Sequence, residues 1–341
     1  MRRFAVRILI AAVLVAAIAG SGGVLWAWDA FHVAGPLKAP TTVIITKGAG
    51  VQTIAETLNA AGIIDNRHLF VLGARYTETA RRMRAGEFTF VSGMSMLDVA
   101  GHLVSGKTVK RRLTVPEGLL SHEIVALVEQ ADGLTGRIDA TGPDGAYLPE
   151  TYFFSHGDSR ASVLARMESA MDEAVAAVWA ARGEKIAIKS PREALILASI
   201  IEKETGVAAE RARVSAVFHN RLRRGMRLQS DPTAAYAATG GGVSIGRLLT
   251  RADLEAESPY NTYRHGGLPP GPIASPGRAS LDAAVRPLET NEFYFVADGE
   301  GGHVFAKTLG EHNRNVARWR RLQRQRSRQR PPGTSGGASG K

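Results

Sequence analysis

Two carboxylates two positions apart, Glu202 and Glu204, close an apolar run that begins at Ala194 and reads ALILASIIEKET. The run has a strong helix start at Ser190-Pro191-Arg192-Glu193. Ser190 suits the N-cap, Pro191 suits the first turn, and Glu193 completes a capping box. Gly206 suits the C-terminal cap. At about 100° per residue, Ile196, Leu197, Ile200 and Ile201 gather on one side, and Glu204 falls in the middle of that side. Glu202 falls near Ser199, on the opposite side. A carboxyl among apolar neighbours holds its proton toward neutral pH, because burial penalises the anion. That is the state a general acid needs before it protonates a leaving oxygen. The same position also suits a glutamate beyond the buried part of the helix, or one paired with an arginine. Helix geometry leaves these readings open, with Glu202 as a structural carboxylate and second candidate.

Several other chemistries find no support. There is no cysteine, so disulfides, thiolate metal sites and a cysteine nucleophile are excluded. His303 and His312 are not spaced as metal ligands and read as packing or hydrogen-bonding residues. Gly240-Gly241-Gly242 lacks a following Lys-Ser/Thr and reads as a loop rather than a phosphate cradle. The net charge is +11, but residues 311–341 and Arg2, Arg3 and Arg7 carry the whole excess. A basic surplus confined to the termini argues against nucleic acid as a partner. The C-terminal run reads as a solvated tail able to touch anionic lipid or cell-wall polymer.

Ile8–Trp28 is 21 residues without a charge, long enough to cross a bilayer as a helix. The three arginines precede it and no basic residue follows until Lys38, which predicts a cytoplasmic N-terminus and an exported body. Trp26 and Trp28 suit the outer interface. Ala17-Ile18-Ala19 resembles a signal-peptide cleavage site, but Val24–Trp28 resumes the apolar run, which favours an uncleaved anchor. Either reading puts the body outside the cytoplasm.

The elements between give an α+β chain. Residues 1–28 are the cytoplasmic stub and membrane helix, and 29–40, with Pro36 and Pro40, read as a linker. Residues 41–112 form a small α+β module: a strand at Thr41–Thr46, helices at Val51–Ala61, Asn66–Leu72 and Met96–Val104, and strands at Phe88–Val91 and Val109–Val115. Without a catalytic-looking cluster, it reads as a binding or positioning module. Residues 113–322 form a larger mixed α/β domain with helices at Ala161–Ala181, Ser190–Thr205 and Val207–Leu222. Phe293–Ala297 and His303–Phe305 flank Asp298-Gly299 as a hairpin. Residues 323–341, Arg/Gln-rich and then Pro/Gly/Ser-rich, are expected to be unstructured.

Several segments occur together and in order: LASIIEKET (197–205), VFHNRLRRGMRLQSDP (217–232), RADL (251–254), YNTYRHGGLPPGP (260–272), IASPG (273–277), FVADG (295–299) and GHVF (302–305). Over roughly residues 40–320 they resemble the endolytic murein transglycosylase family, also called MltG or YceG-like. The resemblance implies an N-terminal membrane helix, a LysM-like module and a catalytic domain. It places the family's catalytic glutamate on Glu204 of the Glu204-Thr205 pair. It implies a lyase that acts on nascent peptidoglycan strands without a cofactor or metal. One carboxyl protonates the glycosidic oxygen and then takes the proton of the sugar's C6 hydroxyl, closing a 1,6-anhydro ring. DGAYLPETY (144–152) resembles a further family segment with Asp144 and Glu150 exchanged for the usual acids, which puts a catalytic role for either in doubt.

Loop residues Gln229, Ser230 and Asp231, and Tyr260, Asn261, Thr262 and Tyr263, have the amides, hydroxyls and rings that bind sugars. Each group also suits an ordinary turn. Asp231 reads either as a second carboxylate or as an N-cap before Pro232. Two other functions remain: a hydrolase with Asp231 or Asp144 as base, and a non-catalytic cell-wall scaffold. A membrane-tethered enzyme would reach new strands close to the bacterial inner membrane, beside peptidoglycan synthases.

Overall fold

The computed structural model describes residues 2–241, 247 and 249–329. The third glycine of the Gly240–Gly242 loop and residues 330–341 lie outside them. The chain divides into two compact units. The first comprises Met1–Leu113, Asp132–Thr135 and Phe153–Ser159, and the second the remainder.

The first unit opens with α1 (Arg2–His32), whose stretch Val6–His32 is long and apolar enough for single-pass membrane anchoring. Then come β1 (Thr41–Ile45), α2 (Val51–Ala60), α3 (Arg67–Tyr76), β2 (Gly86–Phe90), α4 (Met96–Ser105) and most of β3 (Arg111–Thr114). β1 and β2 pair antiparallel, with Val43 opposite Phe88. Asn66 caps α3 by accepting from the His68 and Leu69 amides, and Ser95 and Asp98 form a capping box on α4. Ile54, Leu58, Phe70, Phe88, Phe90 and Leu103 make up much of the core.

The expected linker at 29–40 is instead packed. Phe31 and Leu37 are buried in that core, and the Gly35 amide donates to Met94 O at 3.0 Å. The two prolines limit helix and sheet but do not prevent burial. A Cβ on Gly73 would overlap the Phe31 ring, so α3 meets the end of α1 with only a hydrogen between them. Helix α1 is thereby packed onto the module rather than joined to it by a flexible segment.

The second unit holds α5 (Ser121–Gln130), β4 (Thr151–Phe154, in part), α6 (Arg160–Ala180), α7 (Pro191–Glu204), α8 (Arg211–Arg223), α9 (Asp231–Thr239), α10 (Arg251–Leu254), α11 (Arg278–Val285), β5 (Tyr294–Ala297), β6 (His303–Ala306) and α12 (Leu309–Gln329). β5 and β6 form the expected hairpin, with Phe295 opposite Phe305. Sheets among the described residues are two-stranded ribbons, so this unit is more helical than a mixed α/β reading suggests.

Helix α7 lies at its centre, contacting α6, α8, α9 and α11. Ala194 and every residue from Ile196 to Ile201 are buried. Ser190 caps it as expected, accepting from the Glu193 amide, while Glu193 reaches one residue further back to the Lys189 amide. The helix ends on Thr205 in an extended conformation, not on Gly206. After a short 3₁₀ turn at Ala208–Glu210 the chain resumes as α8. At the other end, α12 runs helical to Gln329, past the point where an unstructured tail was expected.

Replacing Gly73 by valine should cost about 1–3 kcal/mol by overpacking. Thermal unfolding of the full chain in detergent will read this as a lower Tm, and Phe31→Ala in the same chain should relieve part of the loss. An unchanged Tm for Gly73→Val would show that α1 is not docked on α3.

Candidate active site

Glu204 is the last residue of α7, and its carboxyl meets the segment that opens α9. Its Oε1 accepts a hydrogen bond from Ser230 Oγ at 2.5 Å. Ser230 occupies the N-cap of α9, where a serine hydroxyl normally serves the helix amides. Here it makes no such cap and is committed to Glu204 instead. The backbone of Ser230 is held in turn by a buried pair of threonines. Its amide donates to Thr262 Oγ1 at 3.0 Å, and its carbonyl accepts from Thr233 Oγ1 at 2.7 Å. The two threonine hydroxyls lie 2.7 Å apart. Because Thr233 spends its proton on the Ser230 carbonyl, Thr262 donates to Thr233, and each hydroxyl has one defined role. Before this, Gln229 takes a left-handed φ of +50°, a conformation L-residues adopt at a cost of about 1–2 kcal/mol. Its amide donates to Thr262 O at 3.2 Å, fixing the turn that presents Ser230.

Glu204, Gln229, Asp231 and Tyr263 line one cavity of about 650 Å³, with Arg221, the β5–β6 hairpin and α12. Asp231 is the first residue of α9 rather than its N-cap, because the cap position falls on Ser230. Its Oδ1 accepts from Tyr263 OH at 2.5 Å. Arg221, which the sequence reading did not single out, is buried below the cavity. Its Nη1 donates to Leu228 O at 2.5 Å and its Nε to Phe293 O at 2.6 Å, with its guanidinium over the Tyr294 ring. Its neighbours in the sequence hold the scaffold. His219 Nδ1 accepts from the Ala187 amide and Nε2 donates to Ala284 O, both at 2.9 Å, and burial pushes its pKa down to about 4. Asn220 Nδ2 reaches the carbonyls of Thr290 and Glu292, which fixes the approach to β5.

Burial dominates the electrostatics of Glu204 and pushes its pKa up to about 7. The Ser230 hydrogen bond opposes this by favouring the anion, the Asp231 charge reinforces it, and the Arg221 charge pulls it down. The result is a carboxyl that exchanges a proton near neutral pH.

Glu202 sits in different surroundings. Its Oε2 accepts from the Gly277 amide at 3.0 Å, and Arg211 lies 4.0 Å from Oε1. Glu117 shares that arginine, at 3.8 Å, and burial together with the Glu202 charge raises the Glu117 pKa. The two-sided picture of α7 does not separate the acids, since the helix is buried all round and the Glu202 side chain is only 7% exposed. What separates them is that Glu204 opens into the cavity and Glu202 is tied to backbone and arginine.

The remaining candidates disperse. Asn261 is a loop organiser: its Nδ2 donates to Leu254 O and Ala256 O, and its Oδ1 accepts from the Tyr263 amide. Tyr260 packs against Tyr236 at 4.7 Å and lines a separate cavity with Asp144. There Asp144 accepts from Tyr236 OH at 2.7 Å and from the Ser121 amide at 2.8 Å. Glu150 is on the surface beside Arg278. His303 and His312 stay with the Glu204 cavity: His303 packs on Phe295 and lies 2.7 Å from Glu210, and His312 stacks on Tyr294. Among the described residues no three His, Asp or Glu gather as metal ligands.

The geometry therefore defines a shielded carboxyl, oriented by the Ser230 hydroxyl, in the lining of a cleft that also holds Asp231. Residues 43–318 match the model of the YceG-like family, and the chain belongs to that family. A Bacillus subtilis protein named endolytic murein transglycosylase is 32% identical over 308 residues, covering 81% of this chain and 84% of its own. A Streptococcus pneumoniae protein of the same name is 29% identical over 325 residues. That alignment covers 82% of this chain but 58% of the longer pneumococcal protein. The crystal structure of a yceG-like protein from Listeria monocytogenes aligns with 82% of this chain and 99% of its own, at 28% identity and a TM-score of 0.49.

Because the folded chain holds the Glu204 proton more tightly than the unfolded chain, stability from this group falls as pH rises from about 4.5 through about 7. Glu204→Gln removes that dependence. The variant should gain on the wild type across this window, by at most ~3 kcal/mol at pH 8. Denaturant unfolding at pH 5 and pH 8 checks it, and a constant difference between the two proteins would contradict a raised pKa.

Proposed function

We propose that this chain is an endolytic lytic transglycosylase of peptidoglycan, with Glu204 as its single acid and base. The observation that carries the reading is a shielded carboxyl lining a cleft and hydrogen-bonded by Ser230 Oγ, where burial pushes its pKa up to about 7. Its family membership and relatives named for this activity support it.

Protonated Glu204 donates to the oxygen of the MurNAc–GlcNAc β-1,4 bond as that bond breaks. The carboxylate left behind is stabilised by Ser230 Oγ, whose hydrogen bond favours the charged form. It then accepts the proton of the muramyl C6 hydroxyl as that oxygen attacks C1. The reacting groups belong to one sugar, so proximity is supplied by the substrate. The proton returns to Glu204, and no water is activated. Gln229, Asp231 and Tyr263 bind the strand from the cleft wall, while Thr262 and Asn261 act behind them on the loops. A hydrolase would need a second carboxylate to activate water. Asp231 is engaged by Tyr263 OH, which favours a positioning role.

In the first unit, the order β1–α2–α3–β2 with antiparallel β1 and β2 supports a LysM-like module that binds glycan. The apolar α1, with its basic residues on the N-terminal side, supports single-pass insertion in the bacterial inner membrane. The N-terminus is then cytoplasmic and the catalytic unit periplasmic. Held near the membrane by α1, the enzyme works close to the bilayer, on strands emerging from neighbouring synthases. Cutting there terminates strand elongation.

Purified peptidoglycan digested by the full chain in detergent should yield 1,6-anhydro-muramyl ends by mass spectrometry. Glu204→Gln should lose roughly 10²–10⁴-fold in rate, while Glu202→Gln should keep its activity if it folds. Reducing ends from the wild type would establish a hydrolase, and intact strands a scaffold. With Glu204 acting first as an acid, kcat/KM should fall as pH rises through about 7. A profile that rises through that range would assign the first step to a base.

A further inference from the structure

The Glu204 cleft has a second wall that none of the reaction steps uses. Helix α12 packs on β5 and β6, while α7 is held by α6, α8, α9 and α11. The two helices therefore reach the cavity from different supports. On α12, His312, Asn313, Val316, Trp319 and Arg320 line it. Their spacing of three, four and one places them along one stripe of the helix. The Trp319 ring lies against Gly299 at the tip of the hairpin, where a Cβ would come within 3.1 Å of it and the backbone has a φ of +93°. A glycine is required there, and it lets α12 lie close along the hairpin.

Charge is divided among the elements that line the cavity, with Arg221 beside Glu204 committed to the Leu228 and Phe293 carbonyls. Glu204 and Asp231 are the acids lining the cavity, and each already accepts a hydroxyl, from Ser230 and Tyr263 respectively. Arg320 is exposed on α12 and pairs with no carboxylate among the described residues.

The chemistry of a muramyl ring matches this division. The reacting centres, C1 and the C6 hydroxyl carried on C5, flank the ring oxygen. C3, which carries the lactyl ether, lies directly across the ring from that oxygen. A ring that presents C1 and C6 to Glu204 therefore points its C3 substituent away from that carboxyl, toward another part of the cavity lining.

We propose that α12 is the wall that recognises the substituent on C3 of the muramyl ring, with Arg320 binding a carboxylate that it carries. The inference rests on the transglycosylase reading above. It makes the helix a specificity element: strands with an acidic C3 substituent are held in the reacting orientation, and neutral ones are held less well. The carboxylate can be that of the lactyl group itself or of a peptide attached to it.

Three substrates separate these sources: peptide-bearing strands, strands stripped to the free lactyl group by an amidase, and stripped strands whose lactyl carboxyl has been converted to an amide. The full chain in detergent is compared with Arg320→Ala, Arg320→Lys and Arg318→Ala, the last an exposed arginine of α12 outside the cavity lining. Arg320→Ala should lower kcat/KM roughly tenfold on an acidic substrate, as expected for one lost charge-assisted hydrogen bond. It should leave the amidated strands unchanged. Arg320→Lys should restore part of the loss, and Arg318→Ala should match the wild type. Whether the loss appears on the peptide-bearing or the stripped strands identifies which carboxylate is bound.

Equal activity of Arg320→Ala and wild type on all three substrates overturns the proposal, as does an equal loss on all three. Wild-type cleavage of any substrate leaves the reaction itself standing in those cases. Failure of the wild type to cut any of them overturns the reaction and this proposal together.

Discussion

The site turns on a single hydrogen bond, from Ser230 Oγ to a carboxyl that its surroundings would rather keep neutral. Burial alone would make Glu204 a poor acid, because the anion left when its proton leaves would have no partner. The hydroxyl supplies that partner without supplying a charge, so both protonation states are accessible near neutral pH. Much of the local architecture serves this contact. Ser230 gives up its capping role, Gln229 accepts a left-handed backbone, and the Thr233–Thr262 pair fixes the position of the serine. Arg221 and Asp231 act with opposite sign on the same carboxyl, so their effects on its proton partly cancel.

The first unit turns a different constraint to use. Here Phe31 and Leu37 extend the module's core back to the helix, and Gly73 permits the close approach. The apolar stretch of α1 and the packing that joins its end to α3 occupy successive parts of one helix.

Local signals were well marked in the sequence. Ser190, Pro191 and Glu193 announce α7, and Asp298-Gly299 announces the β5–β6 hairpin, because caps and turns depend on neighbouring residues. The choice between Glu202 and Glu204 was only partly legible. Periodicity assumes one buried side, whereas α7 is enclosed by four helices and both acids are shielded. The distinction comes from Gly277 and Arg211 on one hand and Ser230 on the other, all distant in the chain. For the same reason the tyrosines of the 260–263 loop read alike in sequence and part company in space, Tyr263 to the Glu204 cavity and Tyr260 to another. Arg221 carried no sequence signal apart from lying within a family-like segment. The cavity side of α12 was hidden by its surplus of arginine, which resembles a solvated tail until the hairpin is placed beneath it.

The central claim is that Glu204 exchanges its proton near neutral pH because the fold shields it. The most direct measurement is a carboxyl-carbon NMR titration of glutamate-labelled full chain in detergent, with Glu204→Gln used to assign the resonance. A Glu204 signal that titrates near pH 7, and moves higher when Ser230 is replaced by alanine, is the predicted result. Titration near 4.5, or no response to the loss of Ser230, would contradict the account.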